Sequence, residues 1–438
     1  MTESVVYNLT PGGSLKGDIR VPGDKSMSHR SIMLGSLAEG VTEVTGFLEG
    51  EDSLNTLRCF KSMGVQIEGP EAGQVRIRGV GLHGLKAPKA PLYVGNSGTS
   101  MRLMSGILAA QSFDSRLEGD SSLARRPMKR VTDPLALMGA RIDTGDGGRP
   151  PLDIHGGQTL RGIDYRLPMA SAQVKSCLLL AGLYAAGETR VTEPAPTRDH
   201  TERMLGGFGY WVKRDGATVS LAGGGWLQGC SVDVPADISS AAFFLVGASI
   251  APGSDLTLRH VGMNPTRTGV IEILRLMGAD IEVLDARESG GEPVADLRVR
   301  SAALRGVRIP EELVPLAIDE FPALFVAAAC AEGETVLTGA QELRVKESDR
   351  IQVMADGLVS LGIEATPTPD GIVIRGGEMG GGEIVSHGDH RIAMSFAMAA
   401  LRASGAIKIR ECEYVDTSFP GFASLARGCG LNLEETRT

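Results

Sequence analysis

Aromatic side chains are scarce in this sequence, at 4% of 438 residues. A surface for single-stranded nucleic acid stacks bases on exposed rings, so the scarcity argues against one. Positive charge is also short: 44 Lys and Arg against 53 Asp and Glu leave a net charge of -9. Phosphate backbones need a broad basic face, and nucleic acid is excluded as an expected partner. The six cysteines, at positions 59, 177, 230, 330, 412 and 429, form no C-x-x-C pair and no Cys/His cluster of zinc spacing. Neither a metal site nor a disulfide framework is expected, and scattered single cysteines fit a reducing compartment. The N-terminus "MTESVVYNLT" has neither a basic segment followed by an apolar one nor an Arg- and Ser-rich transit character. Long hydrophobic runs are missing as well. Stretches such as "AAFFLVGASIA" (241–251) are too short to span a bilayer and predict buried core helices. The expectation is a cytoplasmic protein with no membrane partner.

Glycine, by contrast, is abundant at 58 residues, and much of it punctuates a repeat. One element is an apolar helix, a small-residue turn and a strand-like run. It begins with "KSMSHRSIMLGSLAEGVTEV" and returns as "GTSMRLMSGILAAQSFDSRLEG", "SAQVKSCLLLAGLYAAGETRVTE", "SSAAFFLVGASIAPGSDLTLRHV", "DEFPALFVAAACAEGETVLTGA" and "DHRIAMSFAMAALRASGAIKIREC". A second element is an amphipathic helix that stops at a glycine and runs into a strand. Its terminators are Gly64, Gly139, Gly209, Gly278, Gly362 and Gly430, a period of about 70 to 80 residues. Glycine there supplies the left-handed residue that closes a helix.

Six such units of βαβαβ type predict an α/β protein. A nearly all-apolar helix must be surrounded, whereas an amphipathic one can face water. Buried helices inside sheets are expected, three units around each of two cores. A solenoid is disfavoured because the units are long and lack capping repeats. The first copy starts near residue 21, and "YNLTPGGSLKGDIRV" precedes it as a strand-like run. The expected domains are 21–235 and 1–20 plus 236–438, with a hinge at the two crossings near 20–22 and 234–237.

Candidate chemistry gathers where the apolar helices begin. "PGDKSMSHRSIMLG" resembles a phosphate loop, but Asp24 separates Gly23 from Lys25, which breaks the G-K-[ST] order. The six helix starts carry Lys25 and Ser26; Asn96, Ser97, Gly98 and Thr99; Ser171, Ala172 and Gln173; Asp237, Ile238 and Ser239; Asp319 and Glu320; and Asp389, His390 and Arg391. Ordinary capping explains the Ser, Asp and Asn residues. It does not explain Lys25, Gln173 or Arg391, because a cation at a helix N-terminus opposes the dipole by about 0.3–1 kcal/mol. Something negative is expected beside them.

Further cations lie in loops: Arg125, Arg126, Lys129 and Arg130 in "LARRPMKR", Arg198 in "PTRDHTE", and Arg344, Lys346 and Arg350 in "ELRVKESDR". Charge runs of this kind are commonly solvated faces. A helix end contributes at most about 1–2 kcal/mol to an anion, and each charge-assisted hydrogen bond about 1.5–3 kcal/mol. Tight binding of a small polyanion would therefore need these side chains as well.

Taken together, "PGDKSMSHR", "GNSGTSMR", "DSSLARRPM", "PMASAQVKS", "TRDHTE", "RVKESDR", "GDHRIAMS" and "TSFPGF" resemble the 5-enolpyruvylshikimate-3-phosphate synthases of the enolpyruvyl transferase family. The motifs stand in the family's order over nearly the whole chain. The resemblance implies two domains of three-fold pseudo-symmetry, an inside-out α/β barrel in each, and closure about a hinge. It also implies transfer of enolpyruvyl from phosphoenolpyruvate to the 5-hydroxyl of shikimate 3-phosphate, with phosphate released, by a monomer needing no metal or organic cofactor.

Position by position, the resemblance assigns Lys25 to both substrates, and Ser26, Arg30, Ser171, Ala172, Gln173, Arg198 and Lys346 to shikimate 3-phosphate. Asp319 matches the group facing the attacking hydroxyl, and Glu347 the carboxylate that exchanges protons with the methylene carbon. Gly98, Arg126, Arg350 and Arg391 match the phosphoenolpyruvate pocket, with Gln173 between the ligands. Attack at C2 requires a base near the hydroxyl and an acid near C3, hence two carboxylates in different environments. Two anionic substrates call for several bidentate arginine clamps.

Thr417 stands where many members carry Lys before the Ser/Thr-Phe-Pro motif, so one expected phosphoenolpyruvate contact is either lost or supplied by another base. The wording of "PMASAQVKS" and "RVKESDR" resembles that of a divergent branch with glyphosate-tolerant members. Their tolerance goes with Ala where this chain has Gly98, so none is expected here. The alternatives are a UDP-N-acetylglucosamine enolpyruvyl transferase or a non-catalytic α/β scaffold that binds an anion. The first carries a reactive Cys in its mobile loop, and this chain has none between 59 and 177. Against the second stand Asp319 and Glu347 among so many cations.

Overall fold

In the computed structural model, residues 4–437 are described, and they contain twelve α-helices. In chain order these are α1 (Lys25–Leu37), α2 (Glu51–Ser62), α3 (Gly98–Leu108), α4 (Lys129–Leu137), α5 (Ala172–Gly182) and α6 (His200–Gly207), followed by α7 (Ile238–Ile250), α8 (Gly269–Leu276), α9 (Phe321–Ala329), α10 (Arg350–Ser360), α11 (His390–Ala399) and α12 (Phe422–Cys429). The odd-numbered helices are the apolar elements of the repeat and the even-numbered ones the amphipathic elements. In α7, "ISSAAFFLVGASI", every residue is buried, as its composition requires. Each even-numbered helix is followed by its glycine in the left-handed region, with φ from 79° at Gly209 to 116° at Gly430.

The chain divides into two compact units. The N-terminal unit comprises Gly23–Val234 with Ser289–Gly291, and the C-terminal unit comprises Met1–Pro22, Pro235–Glu288 and Glu292–Thr438. Each has its own hydrophobic core. In the N-terminal unit, α1, α3 and α5 are buried, and three four-stranded sheets belong to it. The first sheet illustrates the pattern. Val41–Thr45 pairs antiparallel with Gln74–Arg78, and parallel with Ser231–Asp233 from the far end of the unit. A strand from the end of the unit thereby completes the sheet at its beginning.

The C-terminal unit buries α7, α9 and α11 in the same way, with three sheets of its own. Two of those sheets take strands from the start of the chain. Lys16–Ile19 lies parallel to Asp255–Gly262, and Val5–Gly13 lies antiparallel to both Ile407–Arg410 and Leu431–Arg437. The strand-like run before the first repeat is therefore part of the later half of the chain. All six cysteines are free thiols. Among the described residues no helix is long and apolar enough to cross a membrane.

Candidate active site

In the N-terminal unit the starts of α1, α3 and α5 are tied to one another by polar side chains. Asp24 caps α1, its Oδ1 accepting from the Met27 N–H at 2.8 Å. Lys25 follows, and its ammonium is ion-paired with the Asp52 carboxylate near the start of α2. The sequence calls for a negative group to offset a cation at this helix end, and Asp52 is such a group within the chain itself. One turn on, Arg30 donates from Nη1 to the Ser26 carbonyl at 2.9 Å. Its Nε donates to Thr201 Oγ1 at 2.7 Å and its Nη2 to Ser176 Oγ at 2.9 Å. Arg30 is buried, and it joins α1 to α5 and α6.

At α3, Ser97 caps the helix and Gly98 is its first residue. A Cβ on Gly98 would lie 3.0 Å from Arg102 Nη1 and 3.3 Å from Arg126 Nη1, so glycine leaves room for two guanidinium groups. Arg126 Nη2 donates to Asn96 Oδ1 at 2.5 Å, and Asn96 Nδ2 to Asp120 Oδ2 at 2.8 Å. Within "LARRPMKR", Arg126 turns inward while Arg125 and Lys129 are exposed.

Ser171 caps α5 ahead of Ala172, accepting from the Val174 N–H at 3.4 Å. The amide of Gln173 is held from both sides by α3: Nε2 donates to Thr99 Oγ1 at 3.0 Å, and Oε1 accepts from Arg102. Gly98, Arg126 and Gln173 are thus gathered around Arg102. Arg198 is partly buried in the loop that leads into α6. Beneath these starts His29 is wholly buried, its Nδ1 within 2.8 Å of Thr56 Oγ1. Burial, with Lys25 and Arg30 adding to it, holds its imidazole pKa well below the ordinary 6.5, so it is neutral.

In the C-terminal unit the chemistry centres on Arg350, whose side chain is 1% exposed. Its Nε donates to Asp389 Oδ2 at 2.8 Å, its Nη1 to Asp319 Oδ1 at 3.2 Å, and its Nη2 to Glu347 Oε2 at 2.6 Å. Burial works against this charge, but Asp389, Glu347 and Asp319 together raise its pKa above the ordinary value. Burial likewise penalises the Asp389 carboxylate, yet Arg350 outweighs that and holds its pKa below 3.8. Asp389 also caps α11, accepting from the Arg391 N–H at 3.0 Å, and Ser348 Oγ donates to it at 3.0 Å.

Lys346 Nζ lies 3.0 Å from Glu342 and 3.5 Å from Asp319 Oδ1. Arg391 Nη1 donates to the Asp319 carbonyl at 3.0 Å. Five assigned residues, Asp319, Lys346, Glu347, Arg350 and Arg391, therefore form one cluster. Thr417, where Lys is commoner, spends its hydroxyl on the Tyr414 carbonyl at 2.6 Å. Among the described residues no group of three or more His, Cys, Asp or Glu side chains is arranged to hold a metal ion.

Two polar partners, Arg102 and Asp52, escaped the sequence reading. Arg102 is an arginine inside an otherwise apolar helix, which is itself a signal, whereas Asp52 is one of two acids in the first turn of α2 and nothing local distinguishes it. Asp389 caps its helix as expected, and its second task, holding Arg350, was not visible.

The fold and these clusters define an α/β repeat protein that presents cations and carboxylates at the starts of buried helices, a design for small anions. The EPSP synthase (3-phosphoshikimate 1-carboxyvinyltransferase) family matches residues 9–425 of the chain. A 3-phosphoshikimate 1-carboxyvinyltransferase of Methylococcus capsulatus is 70% identical over 432 residues, 99% of each chain. One of Alkalilimnicola ehrlichii is 69% identical over 428 residues, 98% of this chain and 96% of the relative. A solved EPSP synthase of Acinetobacter baumannii superposes with a TM-score of 0.89 at 63% identity, covering 99% of this chain and 100% of that one. The chain belongs to the EPSP synthase family.

Proposed function

We infer that the protein transfers the enolpyruvyl group of phosphoenolpyruvate to the 5-hydroxyl of shikimate 3-phosphate and releases phosphate. Beyond family membership, one observation carries this reading: a single buried guanidinium, Arg350, is joined to both Asp319 and Glu347. That arrangement supports two carboxylates serving one reacting centre. In the proposed addition, the hydroxyl oxygen bonds to C2 as its proton passes to Asp319, and C3 takes a proton from Glu347. In the elimination that follows, C3 returns a proton and the C2–O bond to phosphate breaks. Proton transfers of this kind contribute roughly 10²–10⁴-fold each.

Arg126, Arg350 and Arg391, with the space at Gly98, are the proposed phosphoenolpyruvate clamp. Ser26, Arg30, Ser171, Ala172, Arg198 and Lys346 are the proposed shikimate 3-phosphate contacts, and Lys25 and Gln173 touch both ligands. Arg350 already serves three carboxylates, so an incoming substrate carboxylate competes with them for its N–H groups. The assigned residues fall in both units, and the chain crossings near 20–22 and 234–237 are the proposed hinge. The proposed enzyme is a cytoplasmic monomer, and the acidic balance of the chain argues against a nucleic-acid partner.

The test is phosphate release on mixing the protein with phosphoenolpyruvate and shikimate 3-phosphate. Release is expected with that pair and not when UDP-N-acetylglucosamine replaces shikimate 3-phosphate. No release with either acceptor, or release only with the nucleotide sugar, would overturn the reading.

A further inference from the structure

Lys175 is a charged residue that the reaction as proposed leaves without a task. It lies in α5, one turn after the Ser171 cap, and its N–H donates to the Ser171 carbonyl at 3.1 Å. Its side chain is 0% exposed, although a lysine is rarely buried without partners. Two carboxylates meet it: Glu193 Oε2 at 3.0 Å, from the loop after the Glu188–Thr192 strand, and Glu202 Oε1 at 2.7 Å, from the first turn of α6. Arg214, in the Lys213–Asp215 strand, lies 3.7 Å from Glu193 and 3.9 Å from Glu202. Two cations and two anions make a cluster with no net charge.

The second carboxyl oxygen of Glu193 accepts from Thr197 Oγ1, which closes the loop "EPAPTRD" on itself. Pro194 and Pro196 further limit the conformations open to that loop. Arg198 is the next residue. On the far side of Arg198, Thr201 donates to Ser176 Oγ at 2.7 Å and accepts from Arg30 Nε, which brings the start of α6 onto α5. Lys175 therefore fastens the loop that carries Arg198 to the helix whose start carries Ser171, Ala172 and Gln173.

We propose that Lys175 is a positioning residue for shikimate 3-phosphate, setting Arg198 against the start of α5 through Glu193 and Glu202. This rests on the assignment of Arg198 and Ser171–Gln173 to that substrate. Removing the cation leaves two acids against Arg214 alone, a net charge of minus one in a buried site, and the loop should open. Removing one acid as well restores neutrality.

The experiment is calorimetric titration of the full chain with shikimate 3-phosphate, together with steady-state kinetics. The parent protein must bind shikimate 3-phosphate and release phosphate with phosphoenolpyruvate; if it does not, the functional reading fails rather than this one. Given that, Lys175→Met should weaken shikimate 3-phosphate binding at least tenfold, with kcat at saturation within about threefold of the parent. Lys175→Met combined with Glu202→Gln should recover affinity to within about threefold. Thr197→Val removes one hydroxyl and no charge, so it keeps the test open if Lys175→Met does not fold; it should weaken binding three- to tenfold. Unchanged affinity in Thr197→Val or in folded Lys175→Met would overturn the proposal. So would a fall in kcat and affinity together that the second substitution does not rescue, since that marks a purely structural cluster.

Discussion

Arg350 and Asp389 form an ion pair that water does not reach: Nε to Oδ2 is 2.8 Å, with the two side chains 1% and 0% exposed. A buried pair of this kind contributes little beyond a hydrophobic substitute, but breaking it by removing one partner is costly. Asp389→Asn keeps the shape and deletes the charge. The expected outcome is a loss of about 3–5 kcal/mol in unfolding free energy, read by denaturant titration. A loss below about 1 kcal/mol would mean that Asp319 and Glu347 suffice to hold Arg350.

Glu347 shares the same guanidinium at 2.6 Å but is partly exposed. Its proposed role is proton exchange, so Glu347→Gln should lower kcat by roughly 10²-fold or more. Binding of shikimate 3-phosphate, measured by calorimetry, should stay within about threefold of the parent. Comparable losses in both quantities would assign Glu347 to structure.

Gly98 is the third point. A methyl group there would stand 3.0 Å from Arg102 Nη1 and 3.3 Å from Arg126 Nη1, so both guanidinium groups would have to shift. Gly98→Ala should raise KM for phosphoenolpyruvate roughly tenfold, about 1.4 kcal/mol, with shikimate 3-phosphate affinity little changed. Steady-state kinetics with each substrate varied in turn decides it, and an unchanged KM would remove Gly98 from that pocket.

The pH dependence of stability follows from His29. Its folded pKa is depressed by burial and by Lys25 and Arg30, so below pH 6.5 the unfolded chain takes up a proton that the folded chain refuses. Its contribution is complete above that pH and lost as pH falls, at up to about 1.4 kcal/mol per pH unit. Asp389, also depressed, adds a loss in the same direction starting near pH 3.8. Denaturant titrations at pH 7.5 and 5.5 should show a smaller drop for His29→Asn than for the parent. Equal drops would mean that His29 takes up its proton equally in both states.

The sequence carried the architecture because architecture here is local and repeated. "ISSAAFFLVGASI" has no polar face and had to be surrounded, and all thirteen of its residues are buried. The six terminating glycines could be located because a left-handed residue after a helix is a local requirement, and all six are left-handed. The long motifs carried the family, and with it the activity. Which cation meets which acid was not legible. The sequence asked for something negative beside Lys25 without saying what, and Asp52 stands there.

By itself, then, the sequence determined the repeat, the buried helices and the residue types crowded at their starts. Those follow from periodicity and from the needs of helix ends, which act over a few residues. Only the tertiary structure decided the pairings, because they join residues far apart in the chain: Arg30 to Thr201 across 171 positions, and Arg350 to Asp389 across 39. Such partners are chosen by how helices and sheets pack, and a buried charge takes whichever acid the packing brings within reach.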